Sequence, residues 1–413
     1  MEGAELRATI LPRSCSAGIR IVAAPPSKSM AHRMLICAGL ADGISTVRGV
    51  ALSEDILATI DCLRALGAEI TETTASGGST VTLRVKGTDP RTAGSAVLGC
   101  RESGSTLRFM IPLAALSGNE MTMTAAGRLM ERPLSVYEDM FRAENIRMER
   151  NPSGITVSGV LSGGEYVMDG SVSSQFISGM LFTLPLMRED SAIRLLPPVE
   201  SRPYIDMTIS ALGTFGVTAE WEGSEDGHAS IRIPGGQTYK ASDVCVEGDW
   251  SNAAFFLAMG HEVTGLREDS LQGDKVCAWY FRELDQGHPE LDISACPDLG
   301  PVLMAYAAMH SGCTLTGTRR LRIKESDRGS AMKEELAKFG VSVEVSENII
   351  EVGSGVSAPS EILCGHNDHR IVMALAVICA QTGGIIDGAE AVSKSFPDFF
   401  DRLAETGTES TRA

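Results

Sequence analysis

"LRALGAEI" at residues 63–70 recurs as "LGTFGVTA" at 212–219 and as "LAKFGVSV" at 336–343. Each copy sets apolar residues at helical spacing, then a glycine, then a small or branched residue. A glycine there ends a helix in the left-handed conformation, and the alternating stretch that follows reads as a strand. Fainter copies stand at "MFRAENIRM" (140–148), "YFRELDQG" (280–287) and "DRLAETG" (401–407). Repetition at intervals of roughly 70 residues nearly accounts for the chain, and such self-similarity is the first signal to respect in choosing a fold.

A second element alternates with the first. Apolar helices open on polar clusters at "SKSMAHRMLICAGLA", "SGSTLRFMIPLAALSG", "SSQFISGMLFTLPLM", "DWSNAAFFLAMG", "PDLGPVLMAYAAMHSG" and "NDHRIVMALAVICAQTG". Helices apolar nearly all round are enclosed helices. Each repeat is therefore expected to run strand, buried helix, strand, amphipathic helix, strand. The expected class is α/β: two similar lobes of three repeats, with buried helices inside and sheets outside in an inside-out barrel. The stretch "IPGGQTYKASDVCVEGD" (233–249) reads as a crossover between the third and fourth repeats.

Composition narrows the function. The 413 residues are 43% hydrophobic and 22% charged, with a net charge of −17. That balance argues against nucleic acid or an anionic membrane as the main partner, since both need a basic footprint. The longest apolar run, "IVMALAVICA" at 371–380, is about half a membrane span, and the first residues lack a signal-peptide core, so a cytoplasmic protein is expected. Ten scattered cysteines without a C-x-x-C pair read mostly as buried free thiols. Walker, dinucleotide and serine-hydrolase motifs are absent.

The chemistry-bearing segments cluster at helix starts. Ser, Asp and Asn there have a plain explanation as N-caps. Capping does not explain Lys28, Arg33, Arg108 and Arg370, cations placed where the helix dipole disfavours them, and together they point to an anionic ligand. Gly104 in "ESGSTLR" lets backbone N–H groups approach a phosphate or carboxylate closely. Arg128 follows a glycine in "AAGRLMERP", and Ser173, Ser174 and Gln175 open a helix. "RIKESDRGS" (322–330) is either a solvated helix face or a cluster at a strand-to-helix junction. "CGHNDHR" (364–370) lacks the second ligand group that structural zinc requires; Asp368, His369 and Arg370 suit an anion better.

The ordered set "PPSKSMAHR", "ESGSTLR", "GRLMERP", "DGSVSSQFISGML", "SRPYID", "PDLGP", "IKESDR", "NDHR" and "KSFPDFF" resembles the 5-enolpyruvylshikimate-3-phosphate synthase family across the whole chain. The resemblance implies transfer of the enolpyruvyl group of phosphoenolpyruvate to the 5-hydroxyl of shikimate 3-phosphate, with release of phosphate and without metal or cofactor. It implies a discontinuous division, with residues 26–244 forming one lobe and 1–25 with 245–413 the other, the two closing on small-molecule substrates in a monomer. Shikimate 3-phosphate would be held by Lys28, Ser29, Arg33, Ser173, Ser174, Gln175, Ser201, Tyr204, Asp298 and Lys324. Phosphoenolpyruvate would be held by Lys28, Gly104, Arg108, Arg128, Gln175, Glu325, Arg328, His369, Arg370 and Lys394. Asp298 would serve the hydroxyl, Glu325 the methylene carbon, and Lys28 either proton transfer. Two positions depart from the family: Glu102 and Arg320 stand where relatives often carry asparagine. The competing readings are the related UDP-N-acetylglucosamine enolpyruvyl transferase, and a non-catalytic repeat protein that binds phosphorylated ligands.

Overall fold

Two stretches of chain each gather their own apolar core. The structure is a computed structural model and describes residues 6–13, 18–73, 79–223 and 229–413. One unit is Lys28–Val246; the other joins Met1–Ser27 to Glu247–Ala413.

The unit Lys28–Val246 carries helices α1 (Lys28–Leu40), α2 (Glu54–Ala65), α3 (Gly104–Ala114), α4 (Ser135–Ala143), α5 (Ser174–Thr183) and α6 (Arg202–Thr214). The other carries α7 (Trp250–Ala258), α8 (Cys277–Gln286), α9 (Gly300–Met309), α10 (Arg328–Lys338), α11 (His369–Thr382) and α12 (Phe399–Glu405). Enclosed and amphipathic helices alternate. Every residue of α1 from Met30 to Leu40 is buried, and every residue of α11 from His369 to Ala380. By contrast α4 buries only Tyr137 and Phe141, and α8 buries Cys277, Tyr280, Phe281 and Leu284, one stripe at helical spacing.

The helix ends follow local chemistry. Ser103 accepts from the Thr106 N–H, Asp249 from Asn252, Asp327 from Ser330 and Asp368 from Arg370, each satisfying an orphan donor of the first turn. At the other end Gly67, Gly216 and Gly340 take φ of 108°, 75° and 83°, and Asn145, at the same place after α4, takes 57°. Glycine and asparagine are the residues that tolerate this conformation, which is why the repeat is visible in the sequence.

Among the described residues, five four-stranded sheets share one pattern. In the first, Asp243–Cys245 pairs parallel to Ile44–Val50, which pairs antiparallel to Val81–Lys86, and that to Glu69–Thr73. The order recurs with Ala96–Gly99, Met121–Thr124, Gly154–Ser158 and Arg147–Asn151. It recurs again from Glu165–Asp169 and from Glu290–Asp292. In the last sheet Leu363–Cys364 is parallel to Gly384–Asp387, and Ala8–Ile10 lies antiparallel between that strand and Ser410–Arg412.

Three strands per repeat is therefore an underestimate. Arg147–Asn151 and Gly154–Ser158 are separated by Pro152 and Ser153 alone, in a turn closed by the Ser153 N–H on Asn151 Oδ1 at 2.9 Å, so two short strands read as one alternating run. The fourth repeat departs the other way. Among the described residues Glu262–Thr264 pairs only with Ile21–Ala23, and the strand after α8, Glu290–Asp292, joins the following sheet. Among the described residues no helix is long and apolar enough to cross a membrane. The described cysteines are free; most are buried, Cys245 and Cys364 are exposed, and Cys15 lies outside the described residues.

Candidate active site

In the unit Lys28–Val246, α1 and α3 carry in their first turns the cations the sequence singles out, and α5 and α6 open on its candidate hydroxyl and amide groups. Lys28, the first residue of α1, sets its ammonium 2.7 Å from Asp55 Oδ2, both side chains nearly buried. Arg33, one turn on, donates to Thr208 Oγ1 (2.9 Å), the Ser29 carbonyl (2.6 Å) and the Tyr204 carbonyl (2.8 Å), tying α1 to α6; burial lowers its pKa to about 10. Ser29 and Tyr204 thus meet Arg33 through their backbones. Ser201, in left-handed conformation at φ 53°, precedes α6, and Ser173 caps α5 through the Gln175 N–H. Ser174 follows it, buried.

Arg108 donates to Gln175 Oε1 at 2.7 Å, and Gln175 passes its amide N–H to Ser105 Oγ at 2.8 Å. The Arg108 guanidinium also lies 5.1 Å from the Phe176 ring centroid. A Cβ on Gly104 would lie 2.5 Å from Arg132 Nη1 and 3.2 Å from Arg108 Nη1, so a side chain here would displace both guanidinium ends. Arg132, buried, is a cation that sequence reasoning missed, since "ERP" carries no signal beyond a turn. Asp55 was missed too, because "SED" at a helix start reads as capping alone. Arg128 instead pairs with Glu131 at 2.7 Å, the two side chains 60% and 62% exposed.

Beneath these groups runs a buried chain of hydroxyls. His32 Nδ1 lies 2.7 Å from Thr59 Oγ1, which lies 2.7 Å from Thr106 Oγ1, and Thr106 donates to Ser103 Oγ at 2.8 Å. Burial first, then Lys28 and Arg33, push the His32 imidazole well below its ordinary 6.5, so it stays neutral when folded. The unfolded chain takes up a proton as pH falls through 6.5, so the stability His32 contributes is complete above that pH and is lost below it. Between pH 6.5 and 5.5 the unfolding free energy is expected to fall by ~1 kcal/mol more in the wild type than in His32→Gln. Urea titrations at the two pH values check this, and parallel pH dependences would refute it.

In the other unit Arg328 is the centre. Its guanidinium, 1% exposed, donates to Asp368 Oδ2 (2.8 Å), Asp298 Oδ1 (2.7 Å) and Glu325 Oε2 (2.7 Å). The solvated-face alternative for "RIKESDRGS" therefore fails. Lys324 Nζ reaches Asp298 Oδ1 at 3.1 Å and Arg370 Nη2 stands 4.0 Å from Asp298 Oδ2. Burial raises the Asp298 pKa, but Lys324, Arg328 and Arg370 overcome it and hold the carboxyl well below 3.8. Burial lowers the Lys324 pKa. Three carboxylates and three cations balance, with Asp368 serving Arg328 and the start of α11 where the sequence suggested an anion contact.

Arg370 is buried, and its Nε and Nη1 have no hydrogen-bond partner among the described residues. Its guanidinium carbon lies 5.9 Å from the Phe255 ring centroid. His369 is buried beside it, with Nδ1 3.9 Å from Asp368 Oδ1. Lys394 donates to the Asn367 carbonyl (2.8 Å) and Asn367 Oδ1 (2.7 Å). Arg320 is also buried and donates to the Ser294 carbonyl.

Comparison with known proteins adds an independent line. The chain matches the family described as EPSP synthase (3-phosphoshikimate 1-carboxyvinyltransferase) over residues 19–278 and 259–403. It is 40% identical over 411 residues to the 3-phosphoshikimate 1-carboxyvinyltransferase of Clostridium kluyveri, covering 93% of this chain and 94% of that protein. The protein of that name from Clostridium novyi is 37% identical over 427 residues, covering 96% of this chain and 97% of the relative. A solved EPSP synthase structure from Acinetobacter baumannii shares the mixed α/β fold with a TM-score of 0.76 at 21% identity, over 99% of this chain and all of that one.

Proposed function

The chain belongs to the EPSP synthase family, and from that premise we propose that it transfers the enolpyruvyl group of phosphoenolpyruvate to the 5-hydroxyl of shikimate 3-phosphate, releasing phosphate. The observation that carries the site assignment is Arg370: a buried guanidinium with two unpartnered nitrogens, next to a carboxylate held ionised, is a cation kept ready for an anion.

The bond changes assign the remaining roles. The hydroxyl loses its proton while its oxygen bonds to the central carbon of phosphoenolpyruvate, and the methylene carbon gains a proton, giving a tetrahedral ketal phosphate. Loss of a proton from the new methyl group then expels phosphate and restores the double bond. One group must take and one must give a proton at each stage. Asp298 serves the hydroxyl, Glu325 the methylene and methyl carbon, and Lys28 assists either transfer. A carboxylate held as low as Asp298 is a weak base in the free protein. Substrate anions that draw Lys324 and Arg370 to themselves remove two of its three cations and raise its proton affinity at the moment the base is needed.

Lys28, Ser29, Arg33, Ser173, Ser174, Gln175, Ser201, Tyr204, Asp298 and Lys324 hold shikimate 3-phosphate on this reading. Gly104, Arg108, Arg128, Arg328, His369, Arg370 and Lys394 serve phosphoenolpyruvate with Lys28, Gln175 and Glu325. The buried helices lie inside each unit with the sheets outward, and the protein acts as a cytoplasmic monomer without a cofactor.

The test is phosphate release from phosphoenolpyruvate with shikimate 3-phosphate as acceptor, beside UDP-N-acetylglucosamine. Release with the first alone is expected. Release with the second alone, or with neither, would overturn the assignment.

A further inference from the structure

The geometry points to Glu335 and His366 as positioning residues: together they brace the left-handed turn carrying Asn367 and Asp368, and so fix where Lys394 and Arg328 present their charge. That role presumes enolpyruvyl transfer as the reaction served.

Glu335 lies on α10 two turns beyond Arg328, with its side chain fully buried. Its carboxylate accepts from Lys338 Nζ at 2.9 and 3.0 Å, from His366 Nε2 at 3.0 Å and from the Cys364 N–H at 2.8 Å. An ionised carboxylate only accepts, so His366 Nε2 carries the proton of that bond. Burial raises the Glu335 pKa, and the donors from His366, Cys364 and Lys338 outweigh it, leaving the group below its ordinary 4.5. Glu334, Glu335 and His366 bring donor atoms within 4.8 Å of one another, as a metal site would. The Lys338 ammonium, however, already sits on both Glu335 oxygens, so the chain supplies its own cation.

What this buried anchor holds is a strained turn. His366 and Asn367 take φ of 49° and 50°, two successive residues other than glycine in the left-handed region. Asparagine and histidine tolerate that conformation better than most side chains, yet two such residues in succession are uncommon and need their surroundings to hold them. Beyond the strained pair the turn meets the chemistry. The Asn367 carbonyl and Oδ1 both accept from Lys394 Nζ, the Asp368 N–H closes on the Gly365 carbonyl at 2.9 Å, and the Asp368 carboxylate binds Arg328. One short segment therefore has Glu335 at one end and two site cations at the other. A displacement at His366 is passed to both.

The experiment compares His366→Ala, which removes the donor, with His366→Gln, which restores an N–H at similar reach. Amide hydrogen exchange is read over residues 364–368, alongside steady-state phosphate release with circular dichroism as the check on folding. Alanine is expected to speed exchange and to raise KM for phosphoenolpyruvate roughly tenfold or more, the scale on which displaced contact groups act. KM for shikimate 3-phosphate should stay near the wild-type value, and glutamine should return both readouts toward wild type. Unchanged exchange in the alanine variant would overturn the brace. Faster exchange with an unmoved KM for phosphoenolpyruvate would overturn the positioning role, as would a glutamine variant that behaves like alanine. A wild-type protein that releases no phosphate would overturn the reaction instead, and the exchange rates would then decide the brace alone.

Discussion

Arg328→Met is expected to lower the unfolding free energy by about 3–5 kcal/mol and to abolish turnover, because removing one partner of a buried ionic network leaves the others uncompensated. Three carboxylates depend on this one guanidinium, and Asp368 among them is fully buried. Methionine fills similar space without a donor, so the effect reads as lost pairing and not as a cavity. Arg328→Lys keeps the charge but not the planar fork that reaches three acceptors at once, and should recover only part of the stability. Urea unfolding at neutral pH measures the first effect and phosphate release the second. A loss below about 1 kcal/mol, the range of exposed ion pairs, would show that the network is not the support it is taken for.

Asp298→Asn is expected to lower kcat by roughly 10²–10⁴-fold, the range of a lost general base, while the chain stays folded. The pH profile sharpens the prediction. A base works deprotonated, so activity is lost as pH falls through its pKa. In the free protein Lys324, Arg328 and Arg370 hold Asp298 well below 3.8, and the acid limb of kcat/KM should sit correspondingly low. If, as proposed, bound substrates share two of those cations, the acid limb of kcat should lie at higher pH than that of kcat/KM. A kcat for the Asp298→Asn variant within about threefold of wild type, or two coincident acid limbs, would remove Asp298 from the chemistry.

What the sequence discloses is what local chemistry dictates. The glycines at 67, 216 and 340 show themselves because few other residues take positive φ after a helix. The enclosed helices show themselves because α9 and α11 are apolar all round. The second strand of the hairpin 147–158 is hidden, since its two-residue turn leaves no break in the alternation. Among the candidate residues of the two units, Lys28 and Arg370 announce themselves by opposing the helix dipole, whereas the residues beside each do not. Asp55 looks like any acidic first-turn residue until Lys28 is found against it, and Arg132 acquires meaning only from its approach to Gly104. Pairings between segments far apart in the chain leave no trace in either segment.

The strand Ala8–Ile10, set between Gly384–Asp387 and Ser410–Arg412, has a consequence for biosynthesis. That strand has no partner until Gly384–Asp387 has left the ribosome, more than 370 codons after residue 8, and the sheet is complete only once Ser410–Arg412 follows. Lys28–Val246 needs nothing later than its own last strand, Asp243–Cys245, to complete its sheets. Translation therefore delivers this protein in two instalments: an inserted unit that can mature on the ribosome, and a discontinuous one whose strand Ala8–Ile10 must wait for Gly384–Asp387 before it has anywhere to pair.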